Sequence, residues 1–288
     1  MRRIAVLNQK GGVGKTTTTV NLAAALALAG FKTQVLDLDP QAHATLHLGL
    51  LPGRSGPSLY EVLTDGLPMG KVRRTVAENL SICGSHIDLA GAELELLGTV
   101  GREVILRDQL SADPEPFDFV LMDCPPSLSV LTLNALCAAT EVLIPLQAHF
   151  LALHGLSKLL ETVHLVSKRV NRDLKVGGIV LCLYDAGTRH GGEVIEDLEG
   201  FFAARRSNAA PWADARLFHS RIRRNIRLAE CPSFGQSIFD YAPNSRGAED
   251  YASLAAEIQG RTPAAIWAPS ATADQPATGS EGDSASAA

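Results

Sequence analysis

Apolar residues fall in short unbroken runs along the chain, separated by stretches where apolar and polar positions recur at helical spacing. The runs at 4–8, 33–38, 119–122, 142–145 and 176–183 are continuous rather than alternating. That pattern predicts strands covered on both faces. Helical spacing occupies 16–29, 128–139, 151–170, 192–206 and 246–259, with Gly260 placed to stop the last segment. Strand, helix, strand in repetition predicts an α/β fold: a doubly wound, mostly parallel sheet with helices on both faces, built as a single domain. Residues 50–116 are less regular, with Pro52-Gly53 and Gly56-Pro57 turns, and read as an excursion of short helices within that domain. After Arg261 the chain turns Ala-, Ser-, Thr- and Pro-rich, so the expected division is a folded domain over 1–261 and a disordered tail over 262–288.

Composition excludes several classes. With 46% hydrophobic and 20% charged residues in 288, the chain is neither wholly disordered nor fibrous. The net charge of −5 advertises no global basic field for nucleic acid. Part of that negative charge sits in the tail, where Asp274, Glu281 and Asp283 stand without a Lys or Arg. The 5 cysteines contain no C-x-x-C pair, which argues against a disulfide framework or a four-cysteine metal site and fits a reducing compartment. The longest apolar stretch, within 20–31, is too short for a bilayer span, so a cytoplasmic protein with no membrane partner is expected.

The strongest chemical signal is Lys10-Gly11-Gly12-Val13-Gly14-Lys15-Thr16-Thr17. It follows an expected strand and opens an expected helix, the context of a P-loop NTPase fold. Glycines let successive backbone N–H groups curl toward one anion, and the helix N-terminus adds partial positive charge. Lys15 is placed to reach the β- and γ-phosphates of ATP, and the Thr16 hydroxyl to ligate Mg²⁺. Gln9 stands where the common P-loop has glycine, and Lys10 adds a second cation. Two lysines do not easily share one nucleotide, so Lys10 is expected to reach the nucleotide of a facing subunit.

Two carboxylate sites complete a phosphoryl-transfer set. Asp37-Leu38-Asp39-Pro40-Gln41 and Asp123-Cys124-Pro125-Pro126 each close an apolar strand. Ligands of open α/β sheets bind at such strand ends. Asp123 fits the acid that holds Mg²⁺, and Asp39 the group that orients the attacking water. Thr16, Asp39 and Asp123 thus form the expected oxygen set around the metal. Lys10, Lys15 and Asp39 are the expected catalytic residues.

A third cluster is basic. Arg216, Arg221, Arg223, Arg224 and Arg227 fall in twelve residues, with Arg205 and Arg206 upstream. Arginine pairs its fork with phosphate oxygens, which suits the DNA backbone. The competing explanation is a solvated helix face making ordinary ion pairs. His43, His47, His149 and His154 are poorly spaced for one metal and read as surface residues.

Taken together, NQKGGVGKTTTTVNLAAALA (8–27), DLDPQ (37–41), GAELELL (91–97), DCPPSLSVLTLNAL (123–136), ALHGL (152–156) and the block over 224–251 resemble the ParA/Soj branch of the deviant Walker A ATPases, which also includes MinD proteins. The resemblance spans most of 3–260. It implies an ATP-dependent homodimer in which Lys10 crosses to the partner's phosphates, non-specific binding to double-stranded DNA, and a ParB-type protein that stimulates hydrolysis. It implies a cytoplasmic, nucleoid-associated ATPase that segregates chromosomes or plasmids. By motif match, Asn225 approaches the adenine, and Arg189, Arg221, Arg223, Arg224 and Arg227 are the expected DNA contacts. The chain departs from the pattern at Ala42-His43, where DPQGN is usual, at His149 and His154, where acids are usual, and at Gly187, where an arginine is common. Related ATPases position other cargoes, such as chemotaxis arrays or microcompartments, and that reading remains open. A MinD-like membrane ATPase needs a basic amphipathic C-terminus that 262–288 lacks.

Overall fold

A computed structural model describes residues 1–53, 56–148, 152–185, 195–201 and 210–261. The sequence readings at His149, the His154 side chain, Gly187, Arg189, Arg205, Arg206 and the tail over 262–288 lie outside the described residues.

The sheet has 8 strands in the order β3-β4-β2-β5-β1-β6-β7-β8. These are β1 (Arg2–Val6), β2 (Thr33–Asp37), β3 (Arg73–Ala77), β4 (Leu80–Cys83), β5 (Phe119–Asp123), β6 (Glu141–Gln147), β7 (Lys175–Tyr184) and β8 (Arg216–Arg223). Every pairing is parallel except β3 with β4. β2 and β5 are buried at every position, apolar at their centres and each ending in a buried aspartate, Asp37 and Asp123.

Helices cover both faces. One side packs α1 (Lys15–Leu28), α2 (His43–His47), α10 (Ile226–Glu230), α11 (Ile238–Tyr241) and α12 (Arg246–Gln259) against the sheet. The other carries α3 (Leu59–Thr64), α4 (Met69–Val72), α5 (Leu89–Glu95), α6 (Ile105–Ala112), α7 (Val130–Ala138), α8 (Ala152–Arg169) and α9 (195–201). α1 is buried nearly all round, so its Ala/Leu/Val sequence shows little amphipathic contrast. α12 ends as expected at Gly260, which takes a left-handed φ of 69°.

Three strands differ from the sequence expectation. The 50–116 excursion contains β3 and β4, an antiparallel pair that extends the sheet. The Arg216–Arg223 stretch is a strand rather than a helix face or loop. β3 and β8 are the two edges, and each is rich in arginine, a charge pattern that discourages edge-to-edge pairing and hides an apolar run. In β8 only Phe218 and Ile222 are buried.

Candidate nucleotide site

β1 and β5 pair in register so that Val6 lies opposite Asp123, and β2 with β5 so that Asp37 lies opposite Asp123. The carboxyl ends of the three central strands therefore meet at one place. The chain leaves β1 through Asn8, whose Nδ2 donates to the Pro145 carbonyl at 2.7 Å and whose Oδ1 accepts the Lys10 N–H at 3.0 Å. This fixes the start of the loop. Gly12 and Gly14 then take φ of 73° and 92°, open only to glycine without strain. Gly14 also stands against Cys182, whose Cβ would lie 3.6 Å from an added Cβ.

Lys15 is 8% exposed, and its Nζ donates to the Lys10 carbonyl at 3.2 Å. Burial lowers its pKa, while the Asp123 and Asp39 charges act to raise it. The Thr16 hydroxyl donates to Asp123 Oδ2 at 2.7 Å, and Thr19 reaches the other oxygen at 3.3 Å. Asp123 and Asp37 are both fully buried. Desolvation pushes both carboxyls well above the ordinary range, with the Asp37 and Asp39 charges pushing Asp123 further and the Asp39 charge pushing Asp37. Two adjacent buried carboxylates with a threonine hydroxyl form a hard-oxygen set whose negative charge the Lys15 ammonium opposes. Those residues fit Mg²⁺, which is held by few protein oxygens together with phosphate and water.

Asp37 was not singled out by sequence, and it organises the next turn. Its Oδ2 accepts the Thr45 N–H at 2.8 Å and the Thr45 hydroxyl at 2.6 Å. Its Oδ1 accepts the Asp39 N–H at 3.3 Å. Asp39 Oδ1 accepts from the Gln41 N–H at 3.0 Å, and its carbonyl from the Ala42 N–H at 2.9 Å. Asp39 is thus presented half-buried on a closed turn. The only sequence hint of this was the i, i+2 pair of acids.

That turn passes through Ala42 at φ 54°, a left-handed conformation costing a non-glycine residue about 1–2 kcal/mol. Glycine recovers that strain and loses about 0.5–1 kcal/mol of unfolded-chain entropy. Ala42→Gly is therefore expected to raise the melting temperature by about 1–3 °C in a thermal scan. A lower melting temperature would contradict the strain.

A cavity of about 520 Å³ runs from this cluster along the strand ends toward β7, β8 and the segment after β8. Lys15, Thr16, Asp39 and Gly12 line one end, and Asn225, Leu228 and Arg223 the other. Asn225 caps α10, its Oδ1 accepting the Arg227 N–H at 2.8 Å, which leaves its amide N–H₂ as the donor for the cavity. Of the expected nucleotide residues, Gly11, Gly12, Gly14, Lys15, Thr16, Thr17 and Asn225 line this cavity, whereas Val13 and Asp123 are buried and do not line it. Lys10 lies exposed beside it.

The arginines divide. Arg223, expected at DNA, is instead committed to α12: its Nη2 lies 2.6 Å from Asp250 and 3.2 Å from Glu249, and it lines the cavity. Arg221 is half-buried, and burial lowers its pKa. Arg224 and Arg227 are exposed, and Arg227 pairs with Glu230 at 3.0 Å.

A family model described as an AAA domain matches residues 1–176. The sporulation initiation inhibitor protein Soj of Bacillus subtilis is 44% identical over 256 residues, covering 88% of this chain and 97% of that protein. The chromosome partitioning protein ParA of Myxococcus xanthus is 42% identical over 261 residues, covering 90% and 88%. Among solved structures, cobyrinic acid a,c-diamide synthase from Mycobacterium smegmatis with bound ADP and magnesium superposes with a TM-score of 0.73 at 36% identity, covering 91% of this chain and 97% of that one.

Proposed function

The chain belongs to the ParA/Soj family of chromosome-partitioning ATPases, and from that premise we propose that it hydrolyses ATP within a homodimer that binds DNA without sequence preference. It is a Mg²⁺-dependent ATPase of chromosome or plasmid segregation. The observation that carries the mechanism is the convergence of Lys15, Thr16 and Asp39 on a single cavity, with Asp123 buried directly behind Thr16 and accepting its hydroxyl at 2.7 Å.

In this reading the backbone N–H groups of Gly11 to Thr17 cradle the phosphates, and Lys15 sets its ammonium against the β- and γ-oxygens. Thr16 and Asp123 hold Mg²⁺, with Asp39 beside them. When bound, the metal neutralises phosphate charge. Asp39 orients water for direct attack on the γ-phosphate, without a covalent intermediate. Asn225 presents its amide to the adenine. Lys10, exposed at the rim, reaches the phosphates of the second subunit.

Arg221, Arg224 and Arg227 supply DNA-phosphate contacts, and Arg189, expected to do so by motif match, lies outside the described residues. A dimer doubles this cluster, so affinity rises when ATP assembles it. A ParB-type partner then stimulates hydrolysis and releases monomers. Among the described residues no helix is long and apolar enough to cross a membrane, and we place the protein in the cytoplasm on the nucleoid. The folded unit is 1–261, with 262–288 as its tail.

The test is duplex binding against salt, with unrelated sequences, in the absence of nucleotide and with ADP or ATP. Tight binding is expected with ATP alone. Replacing Arg224 and Arg227 with Ala should make the log–log salt slope shallower by about 0.9 for each DNA phosphate that those side chains neutralise. Binding in no nucleotide state would sink the DNA reading. It would favour small-molecule chemistry of the kind for which the Mycobacterium smegmatis protein is named.

A further inference from the structure

The two ends of the cavity are carried by segments remote in sequence. Gln41 and His43 line it from the turn after β2, and Asn225, Leu228 and Ala229 line it from the segment after β8. Behind the cavity wall these segments are joined. Cys231 Sγ lies 3.4 Å from His47 Nε2, with the two residues 0% and 1% exposed. Burial holds the His47 imidazole down at a pKa of about 4 and pushes the Cys231 thiol up to about 11. Both groups are therefore neutral near pH 7. The ring also hydrogen-bonds the Gln236 main chain in the sense that favours its charged form, which makes the ring the donor there. The second ring nitrogen then faces the Cys231 sulfur as an acceptor, with the Leu228 carbonyl 3.7 Å from the same sulfur.

The backbones touch at the same place. Gly49 and Gly235 have φ of 79° and 63°, and a Cβ on Gly235 would sit 2.7 Å from Gly49 Cα. A larger residue at Gly235 would part the two segments, and one at Gly49 would be strained by its left-handed φ and meet the Gly235 carbonyl at 3.1 Å. Farther along, the Ile238 N–H donates to Asn21 Oδ1 at 2.7 Å, and Asn21 Nδ2 donates to the Thr17 carbonyl at 2.8 Å. The 225–238 segment is thus tied both to the helix that begins at the phosphate loop and to α2.

We propose that the His47–Cys231 pair is a positioning joint through which occupancy of the base end of the cavity sets the Asp39 turn for hydrolysis. The proposal rests on ATP spanning the cavity as described above. α2 is a single short helix, so a displacement at His47 is carried to Ala42, whose N–H holds the Asp39 carbonyl at 2.9 Å. Thr45, clamped to Asp37 and accepting the Ser85 N–H at 2.9 Å, is the pivot. When Asn225 engages a base, the joint fixes the distance between the walls, and Asp39 is held where its carboxylate meets the attacking water. Neither His47 nor Cys231 touches substrate.

The experiment is a double-mutant cycle on kcat/KM for ATP. Asn225→Ala and Gln41→Ala are made singly and together, in wild type, Cys231→Ala and Cys231→Ser. Joined walls make the two losses overlap. In wild type the double variant should retain about fivefold or more activity beyond the product of the single losses. In Cys231→Ala the losses should multiply to within about twofold. Cys231→Ser keeps a donor and should restore the overlap. His47→Gln is a second way to break the joint should Cys231→Ala fail to fold, and the losses should multiply there too. Equal overlap with and without Cys231, or multiplying losses in wild type, would overturn the joint. If Asn225→Ala leaves kcat/KM unchanged, the base does not sit at that end, and the cavity reading falls together with the joint. A residue serving only stability would lower the melting temperature and leave the overlap intact.

Discussion

Lys15→Ala is expected to lower kcat/KM for ATP by at least about 10²–10³-fold, with most of the loss visible as weaker ATP binding. The ammonium is buried at 8% exposure, and its Nζ donates to the Lys10 carbonyl at 3.2 Å. Its field also opposes the mutual repulsion of Asp123 and Asp39, both of which act on its own pKa. Alanine therefore removes the ammonium from the phosphates and leaves the acids uncompensated where a polyanion must enter. Lys15→Arg should not rescue, because a planar guanidinium fork cannot present its charge as the compact ammonium does beside the Lys10 carbonyl. The measurement pairs calorimetric titration of a non-hydrolysable ATP analogue with phosphate release. Wild-type affinity in Lys15→Ala would remove the loop from the nucleotide site.

What the sequence made legible here is what is local. The phosphate loop occupies eight consecutive residues, and glycine, lysine and threonine each leave a backbone or charge requirement readable without a partner. Asp39 and Asp123 were readable because each terminates an apolar run, and a parallel sheet brings such ends together. The strands that escaped notice sit at or beside sheet edges, where arginines interrupt the apolar pattern of β3 and β8 and where β4 has only 4 residues. Side-chain partnerships across the fold left no trace. Arg223 looked like the rest of its cluster, yet it meets Asp250, 27 residues away. Cys231 and His47 are separated by 184 residues and meet only because α2 and the segment after β8 converge behind the cavity. The arginine cluster is therefore legible as charge but not as a surface. Only the fold separates Arg223, paired with Asp250 at the cavity, from Arg224 and Arg227 on the exterior.

Asp39→Ala is expected to lower kcat by about 10²–10⁴-fold while ATP affinity stays within about threefold of wild type. The separation follows from what Asp39 touches. Its backbone N–H rests on Asp37 at 3.3 Å, and its carboxylate accepts the Gln41 N–H at 3.0 Å, so no bond links it to Lys15, Thr16 or the loop glycines among those described. Phosphate binding is therefore left in place, and only the group that orients water is removed. The ATP-bound state then persists, so ATP-dependent DNA retention should lengthen in the variant although equilibrium nucleotide binding is unchanged. Asp39→Asn decides between charge and shape, since its side-chain oxygen still accepts from Gln41 and preserves the turn. If the carboxylate charge orients the water, Asn is as slow as Ala. Hydrolysis within about threefold of wild type in Asp39→Asn would show that the turn carries the effect, and the water-orienting group would have to be sought elsewhere along the cavity.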